Sequence, residues 1–163
     1  MRLVIVRHAI AVPRGTPDIP DEDRPLTPEG EKKFKKAAEG MARVLERPDE
    51  VLTSPWLRAL RTAEIAAEAW GKIAPKKTPA LAGGSFEDVA AVLDGYPPAS
   101  TVAVVGHEPH LSELLARLLG TRDDERVEFK KGGVAVVDIP GRLADGGNLT
   151  MYLPPKVLRA LAG

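Results

Sequence analysis

Residues 2–8, Arg2-Leu3-Val4-Ile5-Val6-Arg7-His8, decide the fold of this chain. The apolar run Leu3-Val4-Ile5-Val6 is rich in β-branched side chains and predicts a buried strand over residues 2–6. A cation and an imidazole, Arg7 and His8, follow directly at the end of that strand. Open α/β folds build their active sites at this position, so the segment predicts both a fold class and the place of a site.

Two later stretches end in the same kind of chemistry. The strand predicted over Glu50-Val51-Leu52-Thr53 is followed by Ser54-Pro55-Trp56-Leu57-Arg58-Ala59-Leu60-Arg61-Thr62, and the strand predicted over residues 101–105 is followed by Gly106-His107. Two histidines and at least two arginines therefore come just after strands. This arrangement predicts a site that holds a phosphate and attacks it.

Segments of helical periodicity separate the strands. Thr27 can cap a helix that starts at Pro28, and Ser85 with Asp88 has the form of a capping box. We predict a loop over 11–26, a linker over 72–84, and helices over 28–45, 54–71, 86–94, 109–119 and 154–161. Residues 134–139 predict another strand, which pairs with Leu149–Leu153 across Gly146-Gly147. The chain is predicted to be a single domain, 1–163, with an α/β fold: a three-layer sandwich whose central sheet is mainly parallel and carries helices on both faces.

Composition narrows the function. Lys plus Arg and Asp plus Glu both total 23, so no global basic field favours nucleic acid, and anion binding must come from a local cluster. The chain has no cysteine and three histidines, with no metal-ligand spacing, so we expect neither a metal nor a cofactor. No apolar run is long enough for a signal peptide or a membrane span, and we expect a cytoplasmic protein. The sequence does not indicate an oligomeric state.

Phosphoryl transfer requires cationic donors for the phosphoryl oxygens, a nucleophile, and a proton source when the leaving group is poor. The planar fork of arginine matches phosphate oxygens, and neutral imidazole can attack phosphorus to form a phosphohistidine. A helix N-terminus beside the phosphate adds free N–H groups and a favourable dipole. Arg58 and His107 both lie next to a predicted helix start. A cation such as Arg58 in a first helical turn opposes the helix dipole, which makes sense if an anion binds there.

Four segments in this order resemble the histidine phosphatase superfamily, which also contains the phosphoglycerate mutases. Arg7-His8-Ala9 resembles its Arg-His-Gly signature, and Leu26-Thr27-Pro28-Glu29-Gly30 its Leu-Thr-x-x-Gly helix start. Ser54-Pro55-Trp56-Leu57-Arg58-Ala59-Leu60-Arg61-Thr62 is similar to its Ser-Pro-x-x-Arg-Ala-x-x-Thr motif. Val105-Gly106-His107-Glu108-Pro109 resembles its Gly-His motif. The short length, the lack of a large insertion and the segment 130–136 resemble the SixA-like branch, the phosphohistidine phosphatases.

The resemblance implies a role for each position. His8 would be the phosphorylated nucleophile, Arg7 and Arg58 would clamp the phosphoryl oxygens, and His107 would donate a further hydrogen bond to the phosphoryl group. Lys130 is a further candidate for substrate binding, with a strand-flanking lysine as the alternative for it and for Lys131. The expected substrate is a phosphorylated protein or a small phosphorylated molecule.

The chain departs from the family pattern in two places. Ala9 stands where the family has glycine, a change that removes no reacting group. The wider family also supplies a carboxylic acid from the region after the second motif's helix, whereas Leu81-Ala82-Gly83-Gly84 offers none, and Glu87 and Asp88 are explained by helix capping. A missing acid favours a good leaving group such as the imidazole of phosphohistidine. Acidic residues of the first long loop could substitute if that loop folds over the site: Asp18, Asp21, Glu22 and Asp23.

Other functions remain open at this point. A small-molecule phosphomonoesterase or a mutase would keep the chemistry and change the substrate, and a non-catalytic module would only bind phosphorylated ligands. Several polar and aromatic residues receive structural interpretations instead. We assign His110 to the surface or to a position behind the site, and Arg61 to a solvated helix position from which it could reach a protein substrate. Trp56 and Trp70 are assigned to the core face of their helix.

Overall fold

The structure, a computed structural model, describes all 163 residues and has the predicted alternation of strands and helices. The strands are β1 (Arg2–Arg7), β2 (Glu50–Thr53), β3 (Lys76–Lys77), β4 (Thr101–Gly106), β5 (Val134–Asp138) and β6 (Asn148–Leu153). The helices are α1 (Pro28–Val44), α2 (Leu57–Ala69), α3 (Phe86–Leu93), α4 (His110–Leu118) and α5 (Pro155–Leu161). Short 3-10 turns occur at Asp21–Asp23, Pro79–Leu81, Asp124–Arg126 and Leu143–Asp145. No helix has the length and apolar character needed to cross a bilayer.

One sheet of six strands, in the order β3-β2-β4-β1-β5-β6, forms the middle layer. Strands β3, β2, β4 and β1 are parallel, and β5 is antiparallel to both β1 and β6. Arg7 pairs with Gly106, and Thr53 pairs with Val105, so β1, β4 and β2 end at the same edge of the sheet. The residues that follow these three strands are therefore brought together at that edge.

Side chains of β1 alternate between two hydrophobic cores, as the pleat of a strand requires. Val4 and Val6 pack with the helices α1, α2 and α5 on one face. Leu3 and Ile5 pack with α3 and α4 on the other face. These four side chains are at most 1% exposed. The predicted three-layer sandwich with a mainly parallel sheet is confirmed.

The predicted helix starts are confirmed with small differences. Thr27 Oγ1 accepts from the Gly30 N–H at 2.9 Å, and Ser85 and Asp88 form the capping box. Helix α2 begins at Leu57 and not at Ser54-Pro55, because the backbone stays extended through Trp56. The linker over 72–84 is not free of structure, since it contributes β3 and the turn Pro79–Leu81. Leu119, predicted on the buried face of α4, follows the end of that helix and is 37% exposed.

Gly30 brings the start of α1 against the chain that leaves β1. A Cβ at this position would lie 2.2 Å from the main-chain oxygen of Ile10, a distance that any side chain would have to relieve by moving backbone. This close approach is stabilised by the hydrogen bond from the Thr27 N–H to the Ile10 oxygen and by the β-bridge between Ala11 and Leu26. Both ends of the 11–26 loop are therefore anchored beside β1.

Candidate active site

The four residues predicted to form the site lie together at the carboxyl edge of the sheet. His8 follows β1, His107 follows β4, and Arg58 is the second residue of α2. The two imidazole centroids are 5.2 Å apart, and the charges of Arg58 and Arg7 both act on His8. His8 and His107 are each 5% exposed and Arg58 is 2% exposed, so these three side chains are almost withdrawn from water, whereas Arg7 is half-buried.

The main chain fixes the protonation state of His8. Its Nδ1 lies 2.7 Å from the carbonyl oxygen of Ala9. A carbonyl can only accept, so Nδ1 carries the proton and the lone pair of the neutral ring is on Nε2. Burial lowers the pKa of His8 to about 3, although the hydrogen bond to Ala9 opposes this shift. His8 is therefore neutral at pH 7, with a free nitrogen lone pair.

Arg58 and Arg7 are both partly committed to main-chain oxygens. Arg58 Nη1 donates to the Asp21 oxygen at 2.6 Å, and Arg7 Nη1 donates to the Phe129 oxygen. The Nε–H of each arginine is buried and has no protein acceptor. Burial lowers the pKa of both groups, yet an arginine remains charged at any physiological pH. Two buried guanidinium N–H groups are thus available to an anion.

His107 is held by Ser54 on the neighbouring strand end. Ser54 Oγ lies 2.7 Å from His107 Nε2, while His107 Nδ1 is buried and has no protein partner. Burial, followed by the charge of Arg58, lowers the pKa of His107 to about 3. The ring is therefore neutral and carries one N–H that can be donated.

Two residues of the site were not identified from the sequence. The Trp56 ring lies 5.0 Å from the His107 ring and 4.9 Å from the Arg58 guanidinium carbon. Our assignment of Trp56 to the core face was therefore wrong, and the reason is that α2 starts one residue later than Trp56.

The Thr62 hydroxyl accepts from the Ala9 N–H at 3.0 Å and donates to the Arg58 carbonyl at 2.7 Å. It connects the segment carrying His8 to the helix carrying Arg58. Its position at the end of the third motif is the sequence feature from which this role could have been predicted.

The first long loop does fold over the site, through Asp21. This carboxylate lies 2.8 Å from Arg24, 3.3 Å from Arg14 and 3.6 Å from Arg58. Partial burial opposes ionisation, but the hydrogen bond from Arg24 and the nearby cations hold the pKa of Asp21 below its ordinary value. Asp21 is therefore a counterion at neutral pH and is poorly suited to donate a proton. The other acidic residues of the loop make no ion pair with the site arginines: Asp18, Glu22 and Asp23.

The acids after α2 are likewise engaged elsewhere. Glu87 pairs with Arg117 at 2.7 Å, and Asp88 accepts from the main-chain N–H and the hydroxyl of Ser85. The hydrogen bonds to Ser85 lower the pKa of Asp88, which keeps it ionised. No group of three or more His, Asp or Glu side chains is arranged to hold a metal ion. The four residues that the structure brings together at the sheet edge are thus two imidazoles and two guanidiniums.

Lys130 lies at the edge of the site and not within the cluster. Its side chain is 61% exposed and its Nζ is 3.9 Å from Glu128, although Lys130 and Arg7 line the same groove. The site has a stronger electrostatic effect on Lys131. Burial and then the charges of Arg7, Arg24 and Arg58 lower the pKa of Lys131. The structure therefore offers Lys131, more than Lys130, as a further cation for a bound anion.

Comparisons with known protein sequences match most of the chain. The model of the histidine phosphatase superfamily (branch 1) matches residues 3–92. An uncharacterized protein from Mycobacterium tuberculosis is 36% identical over 149 residues, which cover 86% of this chain and 90% of the relative.

Solved structures superpose over nearly the whole chain. The protein histidine phosphatase SixA, solved with tungstate, has a TM-score of 0.77 at 26% identity, covering 96% of this chain and 98% of its own. The α-ribazole phosphatase from Shigella flexneri has a TM-score of 0.74 at 19% identity, over 95% and 97%. The second likeness shows the fold alone.

Proposed function

The chain belongs to the histidine phosphatase superfamily, whose model matches residues 3–92, and from this premise we propose that it hydrolyses phosphohistidine in proteins. The observation that carries the proposal is a neutral, buried His8 whose Nδ1–H is bound to the Ala9 carbonyl. Its Nε2 lone pair lies in a cluster that contains Arg7, Arg58 and His107. A phosphorylated protein is the proposed partner.

The first step is attack of His8 Nε2 on the phosphorus atom. A bond forms from Nε2 to phosphorus, and the bond from phosphorus to the substrate nitrogen breaks. Arg7, Arg58 and the N–H of His107 bind the phosphoryl oxygens, where negative charge is held during the transfer. The Ala9 carbonyl, which holds the Nδ1–H, stabilises the positive charge that develops on the His8 ring.

In the second step, water attacks phospho-His8. The new oxygen–phosphorus bond replaces the bond to Nε2, inorganic phosphate leaves, and the electron pair returns to Nε2. The proton on Nδ1 keeps the imidazole a good leaving group, and His8 is restored in the neutral form with which the cycle began. Burial favours that neutral form, because it lowers the pKa of His8 to about 3.

The lack of a proton donor supports phosphohistidine as the substrate. An alkoxide is a poor leaving group and requires protonation as the ester bond breaks, whereas an imidazole already protonated on its second nitrogen leaves as a neutral ring. Asp21, the carboxylate beside Arg58, has the wrong state for donation, since its pKa is below its ordinary value. We therefore expect slow turnover of phosphate esters.

A steady-state assay with phosphohistidine and a panel of phosphate esters, run in EDTA, tests the proposal. We expect wild type to prefer phosphohistidine, and His8→Ala to lose at least about 10³-fold in kcat, since the nucleophile itself is removed. His110→Ala is the matched control, because His110 is an exposed histidine outside the cluster. An acid-labile phosphoenzyme in wild type and not in His8→Ala would identify the intermediate.

Three outcomes would contradict the proposal. Full activity in His8→Ala would show that His8 is not the nucleophile. A clear preference for esters would point to a small-molecule phosphomonoesterase, and tight phosphate binding with neither a phosphoenzyme nor turnover would point to a binding module.

A further inference from the structure

A groove of about 540 Å³ extends from Arg7 along the outside of the site. Its walls are α1, the segment 128–132 and α5, and we call it the basic groove. Five of its lining residues are cationic, and Glu128 is its one acidic residue. The cations are Arg7, Lys33, Lys130, Lys131 and Arg159.

The charge of the basic groove is poorly compensated within the protein. Arg159 and Lys131 have no carboxylate within ion-pair distance, although the chain as a whole has a net charge of zero. Lys33 pairs with Glu29 at 2.8 Å and Lys130 with Glu128 at 3.9 Å, but both pairs are exposed and contribute little. Burial and the nearby arginines also lower the pKa of Lys131, which an anion in the groove would reverse. The surplus positive charge is thus local and lies next to the phosphate site.

The distribution of these cations indicates the shape of the ligand. They come from β1, α1, the segment 128–132 and α5, and the three lysines have exposed side chains, whereas a compact anion would need donors that converge on one point. Apolar groups also line the groove: Ile10 is 39% exposed and Pro155 is half-buried. Charged and apolar contacts in one open groove match an extended peptide that carries carboxylates.

We propose that the basic groove binds an acidic segment of the protein substrate, so that glutamate and aspartate side chains next to the phosphohistidine pair with Lys33 and Arg159. The proposal rests on the proposed function for the phosphohistidine in the site. Binding of an acidic segment in the groove is a separate property and can be measured without turnover.

Peptide binding tests the groove directly. Two fluorescein-labelled peptides of equal length, one with glutamates and one with glutamines at the same positions, would be titrated with the protein by fluorescence anisotropy. We expect wild type to bind the glutamate peptide at least about tenfold more tightly at low salt, with the preference falling as salt screens the charges. Lys33→Gln with Arg159→Gln should remove most of that preference.

The matched control removes two positive charges from α1, the helix of Lys33, on the face that points away from the basic groove. Lys32→Gln with Lys36→Gln lowers the net charge equally, but neither residue lines the basic groove. This control should keep the preference, and equal thermal melts would show that both double variants are folded. Equal binding of the two peptides by wild type, or an equal loss in the control, would overturn the proposal. If inorganic pyrophosphate displaced the peptide while the glutamates made no difference, the groove would be a small-anion site instead.

Turnover separates this proposal from the proposed function. With phosphohistidine peptides, Lys33→Gln with Arg159→Gln should lower kcat/KM about tenfold for glutamate-flanked sequences only. The same variant should leave kcat/KM for free phosphohistidine unchanged. Absence of any phosphohistidine hydrolysis by wild type would overturn the proposed function, and the binding titration would still decide whether the groove prefers an acidic segment.

Discussion

The hydroxyl oxygen of Ser54 lies 2.7 Å from Nε2 of His107 and also accepts the N–H of Trp56 at 3.2 Å. With one hydrogen bond accepted from the main chain, the hydroxyl proton is available to Nε2. When the hydroxyl donates that proton, His107 carries its own proton on Nδ1, the buried atom that has no protein partner. We expect Ser54 to act as a positioning residue in this way, by favouring the tautomer in which His107 donates to a phosphoryl oxygen.

Ser54→Ala should therefore lower kcat more than it raises KM. Loss of one such hydrogen bond costs about 1 to 1.5 kcal/mol, which corresponds to a fall in kcat of about tenfold. Thr53→Val is the matched control, because it removes a buried hydroxyl that donates to the Ser54 carbonyl and does not touch His107. Steady-state kinetics with phosphohistidine would measure both. An unchanged kcat in Ser54→Ala, or an equal fall in the control, would show that Ser54 does not act through His107.

The fold could be predicted from the sequence because strands and helix starts have local residue patterns. The meeting of the four central residues at one sheet edge could be predicted because each of them follows such a strand or begins such a helix. Strand β1 is an uninterrupted apolar run, and the cap at Thr27 has its own residue signature. Trp56 and Asp21 depend on geometry that local pattern does not contain. Trp56 has the spacing of a helical core residue but precedes the helix, and Asp21 reaches Arg58 only because the loop is anchored at both ends. The choice between Lys130 and Lys131 likewise required knowing which of the two side chains is affected by the charges of the site arginines.

Asp21→Asn tests whether the loop supplies a general acid. The pKa of Asp21 is below its ordinary value, so it is ionised at pH 7 and we expect it only to orient Arg58. Loss of a partly exposed ion pair of about 0.2 to 1 kcal/mol should lower kcat/KM by up to about fivefold for phosphohistidine and esters alike. Asp23→Asn, in the same turn and without an ion pair, is the control. A loss confined to ester substrates would identify Asp21 as the proton donor after all.

Trp56 should report on phosphate binding. The chain has two tryptophans, and Trp70 is buried at the end of α2, where it is 4% exposed. In a Trp70→Phe variant, all tryptophan fluorescence comes from the ring beside His107 and Arg58. Titration with inorganic phosphate should change that emission, because an anion bound to Arg58 weakens the contact between guanidinium and indole. In a Trp56→Phe variant the same titration should leave the emission unchanged, and an equal response from the two variants would place the anion elsewhere.

The two site histidines should make the folded state less stable in acid. Burial lowers the pKa of His8 and of His107 from 6.5 to about 3, so between these values the unfolded chain binds more protons than the folded chain. The free energy of unfolding is then highest above pH 6.5 and falls as the pH drops towards 3. Between pH 7 and pH 5 the loss should be up to about 2 kcal/mol for each histidine.

Urea unfolding at pH 7 and pH 5 measures this loss. The double variant His8→Asn with His107→Asn should lose clearly less unfolding free energy over that interval than wild type, whatever its stability at pH 7. His110→Asn should lose as much as wild type, because it leaves both buried imidazoles in place. Glu31, whose pKa is lowered from 4.5 to about 2 by hydrogen bonds from Arg61 and Lys35, reduces stability mainly below pH 4.5 and so adds little between pH 7 and pH 5. A double variant that lost as much as wild type would show that proton uptake by these two rings does not cause the acid sensitivity.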